Sequence, residues 1–133
     1  MDTTTLVNIV QDQGNSYDEG KKLIEKLDEQ GLVYPVALWI KFPDREGWIL
    51  LIGVPKLDQT GAREIYVKLH NIIVDDKLSI SLNDISLVDT QHDICQALKM
   101  MLRTGNTIGR ITFTGNIING QSFPDSIIYR VNL

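Results

Sequence analysis

Residues Val36 to Val54 form an apolar run that folds back on itself, and this run restricts the chain more than any other stretch. Val36, Leu38, Ile40 and Phe42 alternate with Ala37, Trp39 and Lys41, the period of two expected of a strand. The residues Pro43 to Gly47 predict a polar turn, and Trp48 to Val54 is almost continuously apolar. Pairing Phe42 with Trp48 gathers Val36, Leu38, Ile40, Phe42, Trp48, Leu50, Ile52 and Val54 on one face. The other face then holds Ala37, Trp39, Lys41, Ile49, Leu51 and Gly53. An antiparallel hairpin with one solvated side carries polar residues on that side. This one does not, so both faces need cover from helices, a second subunit or a partner.

The flanking elements follow from periodicity and punctuation. Thr3 to Gln13 reads as a weak helix or a frayed extension, broken at Gly14 and Asn15. Ser16 to Glu19 has the form of a capping box, opening a helix whose stripe is Tyr17, Gly20, Leu23, Ile24 and Leu27, and which Gly31 ends. A second helix is expected from Asp58 or Thr60, with Ala62, Ile65, Tyr66, Leu69, Ile72 and Ile73 at the spacing of a buried stripe. Ile85 to Val88 predicts a short strand. Asp89 and Thr90 are expected to cap a third helix carrying Ile94, Ala97, Leu98, Met101 and Leu102, closed by Gly105. Two strands, Ile108 to Ile118 and Ser126 to Val131, complete the set, with Asn119-Gly120 as a turn signal between them. The order α-β-β-α-β-α-β-β predicts an α+β domain over residues 16–133, with a largely antiparallel sheet of about five strands and three helices. Residues 1–15 form an N-terminal extension or short helix.

Composition bounds the function classes. A chain of 133 residues is one domain. The net charge of −4 argues against a general nucleic-acid binder, which needs a surplus of lysine and arginine. Residues 91–133 hold four basic side chains (Lys99, Arg103, Arg110 and Arg130) against two acidic ones, a surplus too small for a basic patch. Cys95 is the single cysteine, which excludes an intrachain disulfide and a cysteine-based zinc site. No stretch reaches the roughly 18 uninterrupted apolar residues of a membrane span, and no secretory signal is visible. The expectation is a cytoplasmic protein with no metal and no cofactor.

Chemistry has few footholds. His92, Asp93 and Cys95 stand together at the start of the third helix, where a helix N-terminus lowers a thiol pKa and an imidazole can serve as base. A nucleophile there still lacks an orienting group and an oxyanion site. His70 reads as a helix-surface residue. Glu19-Gly20-Lys21 has the acid-x-lysine spacing of metal-dependent nucleases but lies on a helix, and Asp44 and Glu46 lie in a turn. Gly105 to Gly109 lacks the lysine of a phosphate loop. Trp48 and Tyr66 read as core. Trp39, with Ile49 and Leu51 beside it and Lys41 at the rim, reads as the anchor of an interface. Arg130 is expected to pair with an acid on a neighbouring strand.

Ala37-Leu38-Trp39, Trp48 to Ile52, Ile85 to Val88, and the ending from Ile118-Asn119-Gly120 to Ile128-Tyr129-Arg130 together resemble a family of small bacterial proteins with no assigned function. The resemblance implies a bacterial, cytosolic setting and carries no activity or site. The expectation from the sequence is a non-catalytic interaction or accessory module, acting as a homo-oligomer or through a protein partner. The alternative is a small hydrolase or ligand-binding enzyme using the His92/Cys95 region.

Overall fold

The computed structural model describes residues 14–115, 117–118 and 121–133. The predicted segment Thr3 to Gln13 and the Asn119-Gly120 turn lie outside them. The elements are α1 (Gly14–Glu29), β1 (Val36–Lys41), β2 (Ile49–Val54), α2 (Leu57–Thr60), α3 (Ala62–Asp75), β3 (Ile85–Asp89), α4 (Asp93–Met101), β4 (Ile111–Phe113), β5 (Ile117–Ile118), β6 (Gln121–Ser122) and β7 (Asp125–Val131). A short 3₁₀ turn, Leu82–Asp84, leads into β3. Among the described residues no helix is long and apolar enough to cross a membrane.

This is an α+β fold with a five-stranded mixed sheet in the order β3-β2-β1-β7-β4. The pairs β1–β2, β1–β7 and β4–β7 are antiparallel, and β2–β3 is parallel. A parallel neighbour needs a crossover longer than a hairpin, and α2 with α3 supplies it. β5 and β6 form a separate two-stranded ribbon.

Several boundaries differ from the sequence expectation for local reasons. The first helix is already formed at Gly14, so Ser16 lies inside it and is not its cap. Both Glu19 carboxylate oxygens accept from Ser79 N–H at 3.0 Å, tying α1 to the segment after α3. The second helix is broken in two by Gly61 at φ +90°, a conformation that glycine tolerates. The long strand expected from Ile108 is interrupted by Gly115 at φ +65°. Asp89 and Thr90 do not cap α4; His92 does.

The hairpin register is one residue away from the expected one. Trp39 pairs with Leu50 and Ile40 with Ile49, where the sequence pairing would have set Trp39 opposite Leu51. The odd residue is absorbed in the turn at 42–48, where Gly47 takes φ +80°. Because side chains alternate with period two, a slip of one residue moves a whole strand to the other face. Trp39 therefore shares a face with Trp48, Leu50, Ile52 and Tyr129, under α1 and α3. Ile49 and Leu51 lie on the opposite face with Leu38, Ile40, Ile128 and the α4 residues Cys95 and Leu98. The doubly apolar hairpin is thus covered on both sides by the chain's own helices.

Two buried polar arrangements hold α1 to the sheet. Trp39 Nε1 donates to the Tyr129 hydroxyl at 2.9 Å, and that hydroxyl donates to Tyr17 O at 2.6 Å. Arg130 is only 1% exposed and pairs with Asp28 on α1, an acid on a helix and not on a neighbouring strand. Its Nη1 and Nη2 donate to the two Asp28 oxygens at 3.1 and 2.6 Å, Nη1 also to Tyr34 O, and Nε to Asn106 O. A buried charge with one partner removed costs about 3–5 kcal/mol.

Gly20 faces this network: a Cβ there would overlap the Tyr129 hydroxyl and stand 2.9 Å from Trp39 Nε1. Helix propensity favours Gly20→Ala by about 1 kcal/mol, whereas forcing a methyl into a packed site costs about 1–3 kcal/mol and here also displaces two hydrogen bonds. We expect Gly20→Ala to destabilise the fold by about 2 kcal/mol in urea titrations; a stabilised variant would refute this account of the α1–sheet contact.

Candidate functional site

The predicted interface residues do not form one surface. Trp39 is 3% exposed, with its indole N–H committed to Tyr129, and Ile49 and Leu51 are buried on the other face. Lys41 alone is near solvent. Its Nζ donates to Phe42 O at 3.0 Å and to Arg45 O, which ties the turn down. Beside it a hollow of about 300 Å³ is lined by Pro43, Phe123, Pro124 and Asp125 among others.

His92, Asp93 and Cys95 are not brought together as a reacting group either. His92 Nδ1 accepts from Ile94 N–H at 3.2 Å, an N-cap contact. Asp93 is exposed in the first turn of α4, where its charge complements the helix dipole. Cys95 points inward, fully buried, facing Gly53, where an added Cβ would lie 3.1 Å from Sγ. Burial, with the nearby Asp89 charge as a second cause, pushes the thiol up to about 11, so the thiolate that nucleophilic chemistry requires is suppressed at neutral pH. Cys95, Leu98 and Leu102 stand at helical spacing, a signal that places the cysteine on the buried stripe.

Asp89 performs the local work assigned by the sequence to a helix cap, but for other amides. Its carboxylate accepts from Gln91 N–H and Leu57 N–H, both at 2.9 Å. These bonds, the first from Gln91, hold its carboxyl below the ordinary value of 3.8, with burial opposing them. Tyr17 stacks on Tyr129 with ring centroids 4.8 Å apart, and its hydroxyl donates to Gly109 O. The Arg110 guanidinium lies 4.5 Å above the Tyr17 ring, a cation–π contact. A groove of about 520 Å³ beside the Arg130–Asp28 pair is lined by Lys21, Glu25, Glu29 and Thr107. Among the described residues no group of three His, Cys, Asp or Glu side chains is placed to hold a metal ion.

What remains is unequal cover of the sheet. One face lies beneath two long helices. Among the described residues the other has a single helix, the nine-residue α4, with Phe123 filling the core beside it. Around that smaller core Phe42, Met101, Leu102, Ile111 and Phe113 are only partly buried. Ile111 and Phe113 lie on β4, at the edge of the sheet. Their alternation with Arg110 and Thr112 is legible in the sequence as a strand; their incomplete cover depends on the length of α4 and is not. Comparison of the chain with protein-family models, with curated proteins and with solved structures finds no match.

Two measurements check these assignments. Cys95 in the native protein is expected to resist a disulfide reagent at pH 8 and to react in denaturant; prompt native labelling would contradict its placement. For Asp89 the folded pKa is depressed, so its contribution to stability is present above the unfolded value and lost as pH falls through the folded one. Asp89→Asn is therefore expected to lower the melting temperature at pH 7 and to narrow its gap from wild type below about pH 4. A gap constant from pH 7 to pH 3 would contradict the assignment.

Proposed function

We propose that this chain acts by association and not by catalysis, pairing with a second copy through the α4 side of the sheet where it runs out to β4. The observation that carries this reading is the unequal cover of the two faces. Apolar side chains left partly exposed around the α4-side core gain free energy when a partner removes them from water, at roughly 25 cal/mol per Å². The surface differs from the one expected around Trp39, which is spent inside the fold. The alternative enzyme reading at His92 and Cys95 draws no support from a buried thiol and a histidine engaged as a cap. A bacterial cytosolic setting is part of the proposal and rests on the sequence resemblance and the single, unpaired cysteine.

Light scattering over a concentration series tests the reading. The wild-type mass is expected to rise from 15.0 kDa towards twice that value. Phe113→Lys and Met101→Lys, both at partly buried positions, are expected to weaken the association about tenfold or more, about 1.4 kcal/mol, with circular dichroism unchanged. A wild-type protein that stays at the monomer mass up to about millimolar concentration would overturn it.

A further inference from the structure

We propose that Tyr66 guards the β3 edge of the sheet, its hydroxyl holding the backbone positions through which a second copy would add strand to strand. An open sheet edge presents a row of unpaired N–H and C=O groups, a template for edge-to-edge assembly that folded proteins block. β3 is such an edge, since β2 is its single strand neighbour among the described residues. In a parallel pair, alternate residues turn their backbone groups towards the partner and away from it. Thr90 N–H, in line with β3, donates to Val54 O on β2 at 3.3 Å. Ser86 and Val88 share its side, so Ile85, Leu87 and Asp89 turn their backbone groups outward.

These outward groups are engaged within the chain itself. Ile85 N–H donates to Leu82 O in the 3₁₀ turn, and Asp89 O accepts from His92 N–H at 2.9 Å. Both ends of the strand are thus closed by local turns. Between them the Tyr66 hydroxyl donates to Ile85 O and accepts from Leu87 N–H, each at 3.3 Å. The carbonyl of one residue and the amide two residues on are the pair that an added parallel strand would engage. One hydroxyl, donor and acceptor at once, takes both. Its position is set by α3, which the buried stripe Ile65, Leu69 and Ile72 fixes against the sheet. The Tyr66 ring packs on the first core, as do Leu82 and Leu87. That contact needs only a ring, which phenylalanine would supply. The hydroxyl adds nothing to it and serves the edge.

Tyr66→Phe keeps the ring and removes both bonds, so it opens the edge without emptying the core. It is best combined with Phe113→Lys, which weakens the α4-side association. By light scattering the double variant is expected to grow in mass with concentration, beyond Phe113→Lys alone, with circular dichroism showing both folded. Hydrogen exchange in dilute protein reads the edge directly. The Leu87 amide is expected to be protected in wild type and to exchange about tenfold faster in Tyr66→Phe, relative to the amides of β1. A Leu87 amide as open in wild type as in the variant would overturn the guard. So would a folded double variant whose mass matches Phe113→Lys at every concentration. Neither result touches the α4-side reading, which is decided by wild type and Phe113→Lys.

Discussion

A buried indole N–H must find an acceptor, since leaving it unpaired costs about 1–3 kcal/mol. In this chain it finds the Tyr129 hydroxyl, and much of the architecture depends on that bond. The same hydroxyl reaches the backbone of α1 at Tyr17, so the strand that carries Trp39, the strand that carries Tyr129 and the first helix meet at one oxygen. The helix can come this close only because residue 20 has no side chain. One residue later on β7, Arg130 clamps the far end of the same helix through Asp28. Two consecutive side chains of one strand thereby fix α1 at two points along its length, and the first core closes beneath it.

The remaining polar side chains follow the same economy. Asp89 holds the start of α2 and the turn before α4, His92 caps α4, Tyr66 engages β3, and Glu19 anchors Ser79. Each of these four side chains is occupied by backbone amides or carbonyls.

Much of the fold was legible in the sequence, and the places where it was not share a physical cause. The stripe Ile65, Leu69 and Ile72 identified its helix because polar residues mark the opposite side. The hairpin Val36 to Val54 revealed its strands but not their register, because a run apolar on both faces carries no polar marker to show which residues belong together. Trp39 was consequently grouped with Ile49 and Leu51, from which the sheet separates it. Arg130 promised an acid, yet the acid lies on α1, and nothing local to either residue specifies a contact between the first and last elements. The β4 surface was hidden for another reason. Ile111 and Phe113 read plainly as strand residues, but whether a helix covers them is settled by where α4 stops.

The position of β7 has a consequence for how such a molecule comes into being. The strand assembled last from the N-terminus sits between β1 and β4, and it supplies both Tyr129 and Arg130. While the chain emerges from a ribosome, β1 and β2 can pair and the helices can form, but the middle of the sheet is vacant until residues 125–131 arrive. Until then α1 has neither clamp, Trp39 has no acceptor, and one side of β1 is an open apolar template. Non-local pairing of this kind slows folding and prolongs the exposure of sticky intermediates. The nascent chain is therefore at its most vulnerable before β7 emerges, and loss of that strand removes the centre of the sheet and not merely its margin.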